Sequence, residues 1–423
     1  MSKIGIIGTG YVGLTTGACF AHLGHDVTCA DLDATKVERL NRGEIPIVEA
    51  GLDAIVAEGL RSGRLRFVVG AEAAALNAEF VYLCVQTPQR SDGSADLSYI
   101  QAAARQIRGV LAHGAIVVNK STVPVGSTKV VDSELNRGDI RVVSNPEFLR
   151  EGTAVHDFLN PDRIVVGADD RSAAIHVAEL YTGIHAPVIV TNPATAETIK
   201  YAANAFLATK ISFINAIAAV CEAVGADVRD VAVGIGHDKR IGPDFLKPGP
   251  GWGGSCFPKD THALIQIAED AGYDFHLLRG AVEVNEAQRR RVVRKVIAAA
   301  GGSVSGKKIA IWGLTFKANT DDLRESPAVA VAQALADHGA VICAYDPTVT
   351  GDIGRIGVAG DPYAACADAA VLVVLTEWDE FRSLDFDKVA SIMAHPAVVD
   401  SRNLLDRASV QDAGLSYSGI GLG

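Results

Sequence analysis

The 423-residue chain reads as an α/β protein: two Rossmann-like, doubly wound parallel-sheet domains joined by a long central helix and a helical middle domain. Three observations predict this. Short apolar runs alternate with helical stretches near both ends of the chain, the pattern of a parallel sheet covered on both faces. A glycine-rich turn, Gly8-Thr9-Gly10-Tyr11-Val12-Gly13, joins the first apolar run to a helical stretch. An Ala-rich segment with no internal glycine occupies the middle.

The elements follow in order. Residues 4–7 form a buried strand, 14–23 suit a helix, and 27–30 form a second strand ending at Asp31. Further apolar strands are expected at 80–85, 115–119, 141–144 and 164–166. Residues 195–225 read as one helix of about 30 residues, roughly 45 Å long, with Gly225 as its stop. The apolar neighbours of Lys200 on it (Ile199, Ala202, Ala203, Ala205, Phe206) predict burial. A second nucleotide-fold pattern begins at Lys307: residues 307–313 echo 3–8, and 338–341 leading to Asp346 echo 23–27 leading to Asp31. Strands at 371–375 and 398–400 continue it. This second turn lacks the later glycines, so it is not expected to repeat the first lobe's cofactor chemistry. The expected domains are 1–193, 194–302 and 303–423.

A net charge of −11 disfavours nucleic acid and anionic membrane as partners. The seven cysteines are odd in number and contain no CxxC pair, so no disulfide framework or zinc site is expected and a reducing, cytoplasmic compartment fits. The start has no signal-peptide layout, and no uninterrupted apolar run reaches the roughly 18 residues of a membrane span.

Gly8, Gly10 and Gly13, with Asp31 at the end of the next strand, fit a dinucleotide: tight turn, pyrophosphate approach, close helix packing, and an acid for the ribose. The carboxylate favours NAD over NADP. Residues 251–260 set Cys256 after three glycines and just before Lys259 and Asp260. A lone cysteine is commonly a small buried hydrophobe, so both readings stand on this stretch alone. Lys200 and Asn204, four apart, share a helix face. Glu147 and Glu151 are either a general base with ligand contacts or an acid-rich helix start. The Gly/Pro loop 245–251 has amides able to line a diphosphate or sugar. Lys317 and Arg324 follow a second-lobe strand, as ligand contacts or as surface charges.

Together the stretches GTGYVG (8–13), STVPVGST (121–128), NPEFLREG (145–152), DKRIGPDFLKPGPGWGGSCFPKD (238–260), FKANTDDLRES (316–326) and DSRNLLD (400–406) resemble the nucleotide-sugar 6-dehydrogenases, the UDP-glucose/GDP-mannose dehydrogenase family. The resemblance covers almost the whole chain. It implies NAD-dependent four-electron oxidation of UDP-glucose at C6, with Cys256 as nucleophile through a thiohemiacetal and a thioester. It implies Lys200 and Asn204 as oxyanion donors, Asp260 orienting Lys200 or a water, Glu147 accepting a proton, and Thr122 holding water. On the cofactor side it implies Gly8, Gly10, Val12, Gly13, Asp31, Lys36, Thr87, Thr122, Glu151, Lys259 and Arg324. On the nucleotide-sugar side it implies Glu147, Phe148, Leu149, Arg150, Glu151, Lys200, Asn204, Phe245, Leu246, Lys247, Pro248, Gly249, Gly253, Lys317 and Arg402. Arg240 is implied to act across a subunit contact, in a homodimer paired through the long helix. The alternatives are GDP-mannose or a UDP-N-acetylhexosamine as substrate, a single-hydride alcohol dehydrogenase, or a non-catalytic NAD-binding protein. The last does not explain Lys200, Cys256 and Asp260.

Overall fold

The computed structural model describes residues 1–88, 90 and 95–422. The chain divides into two compact units, Met1–Ala203 with His262–Ala271 and Asn204–Thr261 with Gly272–Gly423. The division falls within two helices, Pro193–Val224 and Phe257–Asp270.

The first unit is built on eight strands: β1 (Lys3–Ile7), β2 (Asp26–Asp31), β3 (Leu65–Val69), β4 (Phe80–Leu83), β5 (Ile116–Asn119), β6 (Arg141–Ser144), β7 (Ile164–Gly167) and β8 (Val188–Thr191), in the order β3-β2-β1-β4-β5-β6-β7-β8. All neighbours are parallel except β6 and β7, which meet antiparallel at Ser144 and Gly167. Alternate residues of a strand face opposite sides of a sheet. Phe80 and Tyr82 of β4 accordingly join one core cluster while Val81 and Leu83 join the other. That double burial is why β4 is apolar throughout.

The first helix begins at Tyr11, three residues earlier than the pattern suggests. The last residues of the glycine turn are its first turn: the Gly10 carbonyl already accepts the Leu14 N–H at 2.9 Å.

The second unit carries β9 (Lys308–Trp312), β10 (Val341–Tyr345), β11 (Ile356–Val358), β12 (Val371–Val374), β13 (Ala397–Asp400) and β14 (Ser416–Gly419), all parallel, in the order β11-β10-β9-β12-β13-β14. This order matches the first six strands of the other sheet. The echo reaches single bonds: Gly8 N–H donates to Ala30 O, and Gly313 N–H to Tyr345 O, each at 2.8 Å.

The long helix Pro193–Val224 has 32 residues. Proline suits a first helical position, where no N–H partner is needed. Gly225, at φ +74°, ends the helix, and the Ala226 N–H closes back on Cys221 O at 3.0 Å. The expectation that this helix is buried holds for one side only. Tyr201, Ala208, Ser212, Asn215, Ala218 and Cys221 are buried, but Phe206, Phe213, Val220 and Val224 are 52–70% exposed. Their spacing of seven, seven and four places them in one stripe. Among the described residues this is the helix long and apolar enough to cross a membrane, by length and composition alone. Polar residues such as Lys200, Asn204 and Lys210 interrupt its apolar sequence, so it holds no uninterrupted apolar run of that length.

Glu222, near the end of this helix, accepts from Gly421 N–H at 2.8 Å, from Lys295 at 3.0 Å and from Arg291. Burial pushes its carboxyl up, but those donors together hold it below the ordinary glutamate range. The stabilisation is therefore present above the unfolded glutamate pKa, about 4.3, and is lost as pH falls below it. Glu222→Gln should lower unfolding stability by about 1.5–3 kcal/mol near neutral pH. The urea midpoints of wild type and variant should converge in acid; equal midpoints at neutral pH would remove Glu222 as an anchor of the C-terminal segment.

Candidate active site

In the first unit the glycine turn crosses from β1 to the helix Tyr11–His22. A Cβ on Gly8, at φ +98°, would meet Cys84 O at 2.6 Å, and one on Gly13 would fall inside the shell of Gly8 O. Gly10 differs: a Cβ there meets nothing within 4 Å. Two glycines are thus demanded by packing, and the third keeps space open at a helix N-terminus, where phosphate is favoured. Asp31 ends β2 and accepts on Oδ2 from the Thr9 amide and hydroxyl and from Lys36 Nζ at 2.9 Å. Burial raises its pKa, but these bonds hold it at about 2, so it is ionised. Among the described residues Oδ1 takes the Asp33 N–H alone, at 3.2 Å. The residues present fit a dinucleotide with free ribose hydroxyls.

The matching acid of the second unit, Asp346 after β10, has no such freedom. Its Oδ2 accepts from Leu314 N–H, Thr315 N–H and hydroxyl, and Trp378 Nε1, and its Oδ1 from Thr348. It is 3% exposed. The acid has become a brace for the turn after β9.

Beyond β6 the chain runs Asn145-Pro146-Glu147 with no helix until Ala154–Leu159, so Glu147 and Glu151 do not mark a helix start. Glu147 is 4% exposed, accepts Lys200 Nζ at 2.9 Å on Oε1, and the Leu149 N–H at 2.6 Å on Oε2. Burial alone would push its carboxyl up, but Lys200, the Leu149 amide and nearby Lys120 hold it below the ordinary range. The Phe148 ring lies 5.5 Å from Lys200 Nζ and 3.7 Å from the Arg163 guanidinium. Arg150 is engaged with Asp157 through its amide and side chain, and Leu149 packs on the core. The amide of Gly152, next to Glu151, donates to Glu49 and to Tyr11. Thr87 donates its hydroxyl to Thr122 O at 2.8 Å, which brings those two predicted residues together. Val12 packs against the first core.

In the second unit Cys256 precedes the helix Phe257–Asp270, and its carbonyl accepts the Asp260 N–H at 2.9 Å. Asp260 is fully buried; it accepts from Asn204 Nδ2 at 2.6 Å and from Lys259 Nζ at 2.9 Å. The Ser255 hydroxyl lies 3.6 Å from the Cys256 sulfur.

What holds the cysteine loop is a set of residues the sequence reading missed. Asn285 clamps Trp252 like a strand neighbour, accepting its N–H at 2.7 Å and donating to its O at 3.0 Å. Arg289 adds a bond to the same carbonyl, and the Trp252 indole N–H reaches Ser212. Gly249 is gripped likewise, its N–H by Asn215 and its O by Gln288. The glycines follow: a Cβ on Gly251 would strike Asn285 Oδ1 at 2.7 Å, one on Gly253 would overlap Glu325 O, and one on Gly254 would meet the Phe316 ring at 2.8 Å. The available signal was the pair Asn285 and Gln288, two polar residues one turn apart on an otherwise apolar helix face. Lys120 was missed too: buried at 3% exposure, it reaches Asn145 Oδ1 and Tyr181 OH, each at 3.3 Å.

Arg402 lies beside Gly249 and bonds Leu375 O and Phe316 O. The Lys317 ammonium lies 5.5 Å from the Phe316 ring. Leu246 and Pro248 are buried, Lys247 is exposed, and Phe245 stands at φ +61° with its ring 6.3 Å from that of Phe257. Arg324 is paired with Asp322, and Arg240 with Asp238, both largely exposed.

Three family models match: the UDP-glucose/GDP-mannose dehydrogenase NAD binding domain at residues 2–185, central domain at 194–287, and UDP binding domain at 310–407. The chain is 51% identical to the UDP-glucose 6-dehydrogenase of Rhizobium meliloti (strain 1021), over 99% of both chains. It is 46% identical to that of Bacillus subtilis (strain 168), over 100% of this chain and 93% of the relative. A UDP-glucose dehydrogenase structure from Pyrobaculum islandicum superposes with a TM-score of 0.91 at 38% identity, covering 100% of this chain and 98% of the other.

The glycine geometry separates two outcomes. Gly13→Ala should lower thermal stability, by about 1–3 kcal/mol of overpacking. Gly10→Ala should melt like wild type yet bind NAD at least tenfold more weakly in a fluorescence titration. Unchanged NAD affinity in Gly10→Ala would remove the turn as a pyrophosphate seat.

Proposed function

The chain belongs to the UDP-glucose/GDP-mannose dehydrogenase family, and from that premise we propose that it oxidises the C6 alcohol of UDP-glucose to the carboxylate of UDP-glucuronate, reducing two NAD. NAD, when bound, accepts the hydride in each of two steps. The observation that carries the site assignment is Cys256 at the head of the helix Phe257–Asp270, in a loop held from below by Asn285, Gln288 and Arg289. A helix N-terminus favours negative charge on the residue that caps it, which suits a nucleophilic sulfur.

The residues then divide the work. Loss of hydride from C6 and of the hydroxyl proton leaves an aldehyde. The Cys256 sulfur adds to that carbonyl carbon, and the thiol proton passes to the oxygen. Loss of a second hydride from C6 and of that hydroxyl's proton gives a thioester, and covalent attachment holds the sugar between the two oxidations. Water then adds to C6, the carbon–sulfur bond breaks, and the sulfur regains a proton. Lys200, a cationic donor set beside Glu147, stabilises oxygen anions at C6, with Asn204 as a second donor. Asp260 fixes Asn204 and Lys259. Glu147, held ionised, takes a proton directly or from the water that Thr122 holds.

Asp31, Lys36, the glycine turn, Thr87 and Glu151 serve NAD. Phe245 to Gly249, Gly253, Lys317 and Arg402 serve the nucleotide sugar. We retain three functional parts, 1–193, 194–302 and 303–423. UDP-glucose is preferred over GDP-mannose and UDP-N-acetylhexosamines because full-length relatives at 46–51% identity are UDP-glucose 6-dehydrogenases. The exposed stripe of Phe206, Phe213, Val220 and Val224 supports a homodimer through the long helix, with Arg240, whose side chain is 88% exposed, available to a second copy. No nucleic acid or membrane is required, and the free cysteines suit the cytoplasm.

Two NADH should form per UDP-glucose consumed, with UDP-glucose preferred in a panel including GDP-mannose, UDP-galactose and UDP-N-acetylmannosamine. Cys256→Ser should lose turnover by several orders of magnitude while NAD still binds; one NADH per sugar with free aldehyde, or near-normal turnover in the variant, refutes the route. Replacing Phe206 and Phe213 together by Asp should halve the mass seen by light scattering, whereas an unchanged mass would place the subunit contact elsewhere.

A further inference from the structure

Glu197 stands on the long helix one turn before Lys200 and is 2% exposed. Its carboxylate takes three hydrogen bonds, all from one segment. Gly126 N–H donates to Oε2 at 2.6 Å; Thr128 donates its N–H at 3.0 Å and its hydroxyl at 2.7 Å, both to Oε1. These amides open the helix Ser127–Leu135, which has no side-chain cap of its own. A local serine or aspartate ordinarily does this work. Here it is done by an acid some 70 residues further along the chain, and burial pushes that acid's carboxyl above the ordinary glutamate range despite its bonds. Capping alone does not call for so costly a group.

The segment it grips says why it is there. Ser121, at the other end, bonds Leu83 O at 3.2 Å and Val85 O at 2.7 Å, and Thr122 O accepts the Thr87 hydroxyl. Only residues 123–125 lie between those fixings and Gly126. Lys200 lies three residues beyond Glu197 on the same helix face and is paired with Glu147.

We propose that Glu197 is a positioning residue for the hydrolytic half of the reaction, a latch that sets Thr122 and its water against the Lys200–Glu147 pair. It rests on the thioester route proposed above. In that step the water oxygen bonds to C6, the carbon–sulfur bond breaks, the sulfur keeps the electron pair and takes one proton, and Glu147 takes the other. Glu197 touches neither substrate nor cofactor.

Glutamine tests the latch because it is isosteric yet wrong at one edge. Its NH2 group must face either the Gly126 or the Thr128 N–H, donor against donor. In stopped flow with the full chain, Glu197→Gln should form two NADH per site at the wild-type rate. Steady turnover should then slow roughly 10- to 100-fold, the scale of a misplaced reacting group, with KM for UDP-glucose within about twofold. Mass spectrometry after acid quench should show the Cys256 thioester accumulating. Thr128→Val, which removes one of the three bonds and spares the fold, should show a smaller effect in the same direction. Fast and slow phases falling together, or a slow phase unchanged in both variants, would overturn the latch while leaving the route intact. A wild type that forms one NADH and no adduct removes the route, and this proposal with it.

Discussion

The ion pair between Lys200 and Glu147 is the interaction on which the packing of the first unit's site loop depends. Both side chains are at most 5% exposed and lie 2.9 Å apart. Neither charge is tolerable there without the other, because an unpaired buried charge is strongly destabilising. The pair therefore forces the loop after β6 and one face of the long helix to meet within a hydrogen bond's length. Leu149 N–H completes the arrangement from the loop side, and the Glu197 carboxylate, one turn earlier on the helix, fastens the neighbouring 121–128 segment. The second unit answers the same constraint: the wholly buried Asp260 is matched by Lys259 and Asn204. In each unit a buried carboxylate is matched by a lysine and at least one further N–H donor.

Much of this is legible in the linear chain, and the reason is locality. The glycine turn, Asp31 and the long helix with its glycine stop are set by neighbours within one element, so spacing reveals them. The two lobes show as a repeated strand-and-turn phrase. What the sequence hides is contact through space. Asn285, Gln288 and Arg289 act on backbone atoms some 35 residues away, and Glu197 acts on amides about 70 residues away. Polar residues on an apolar face, as Asn285 and Gln288 are, mark that a partner exists but not which backbone atoms it is. The apolar composition of the long helix was visible, but composition does not say which apolar side chains the chain itself covers. Phe206 and Phe213 proved exposed while Tyr201 and Ala208 are buried.

The two sheets share a strand order, and the acids ending β2 and β10 show how one topology is put to two uses. Asp31 takes the Thr9 and Lys36 donors on one oxygen and a single backbone N–H on the other. Asp346 has six donors divided over both oxygens, Trp378 among them. With both oxygens filled by internal donors, the second acid braces its turn and leaves no acceptor for a ribose. The shortened glycine pattern at Gly313 belongs with that change.

The three tryptophans are placed unevenly. Trp312 and Trp378 sit in the core of the second sheet and donate to Pro362 O and Asp346. Trp252 stands four residues before Cys256, with its indole tied to Ser212 and its backbone to Asn285. The unit that begins at Met1 contains none. Emission excited at the red edge of protein absorption therefore arises from the second unit's indoles. The chain carries a built-in optical reporter in one unit only, and one of its three indoles stands in the loop that presents Cys256.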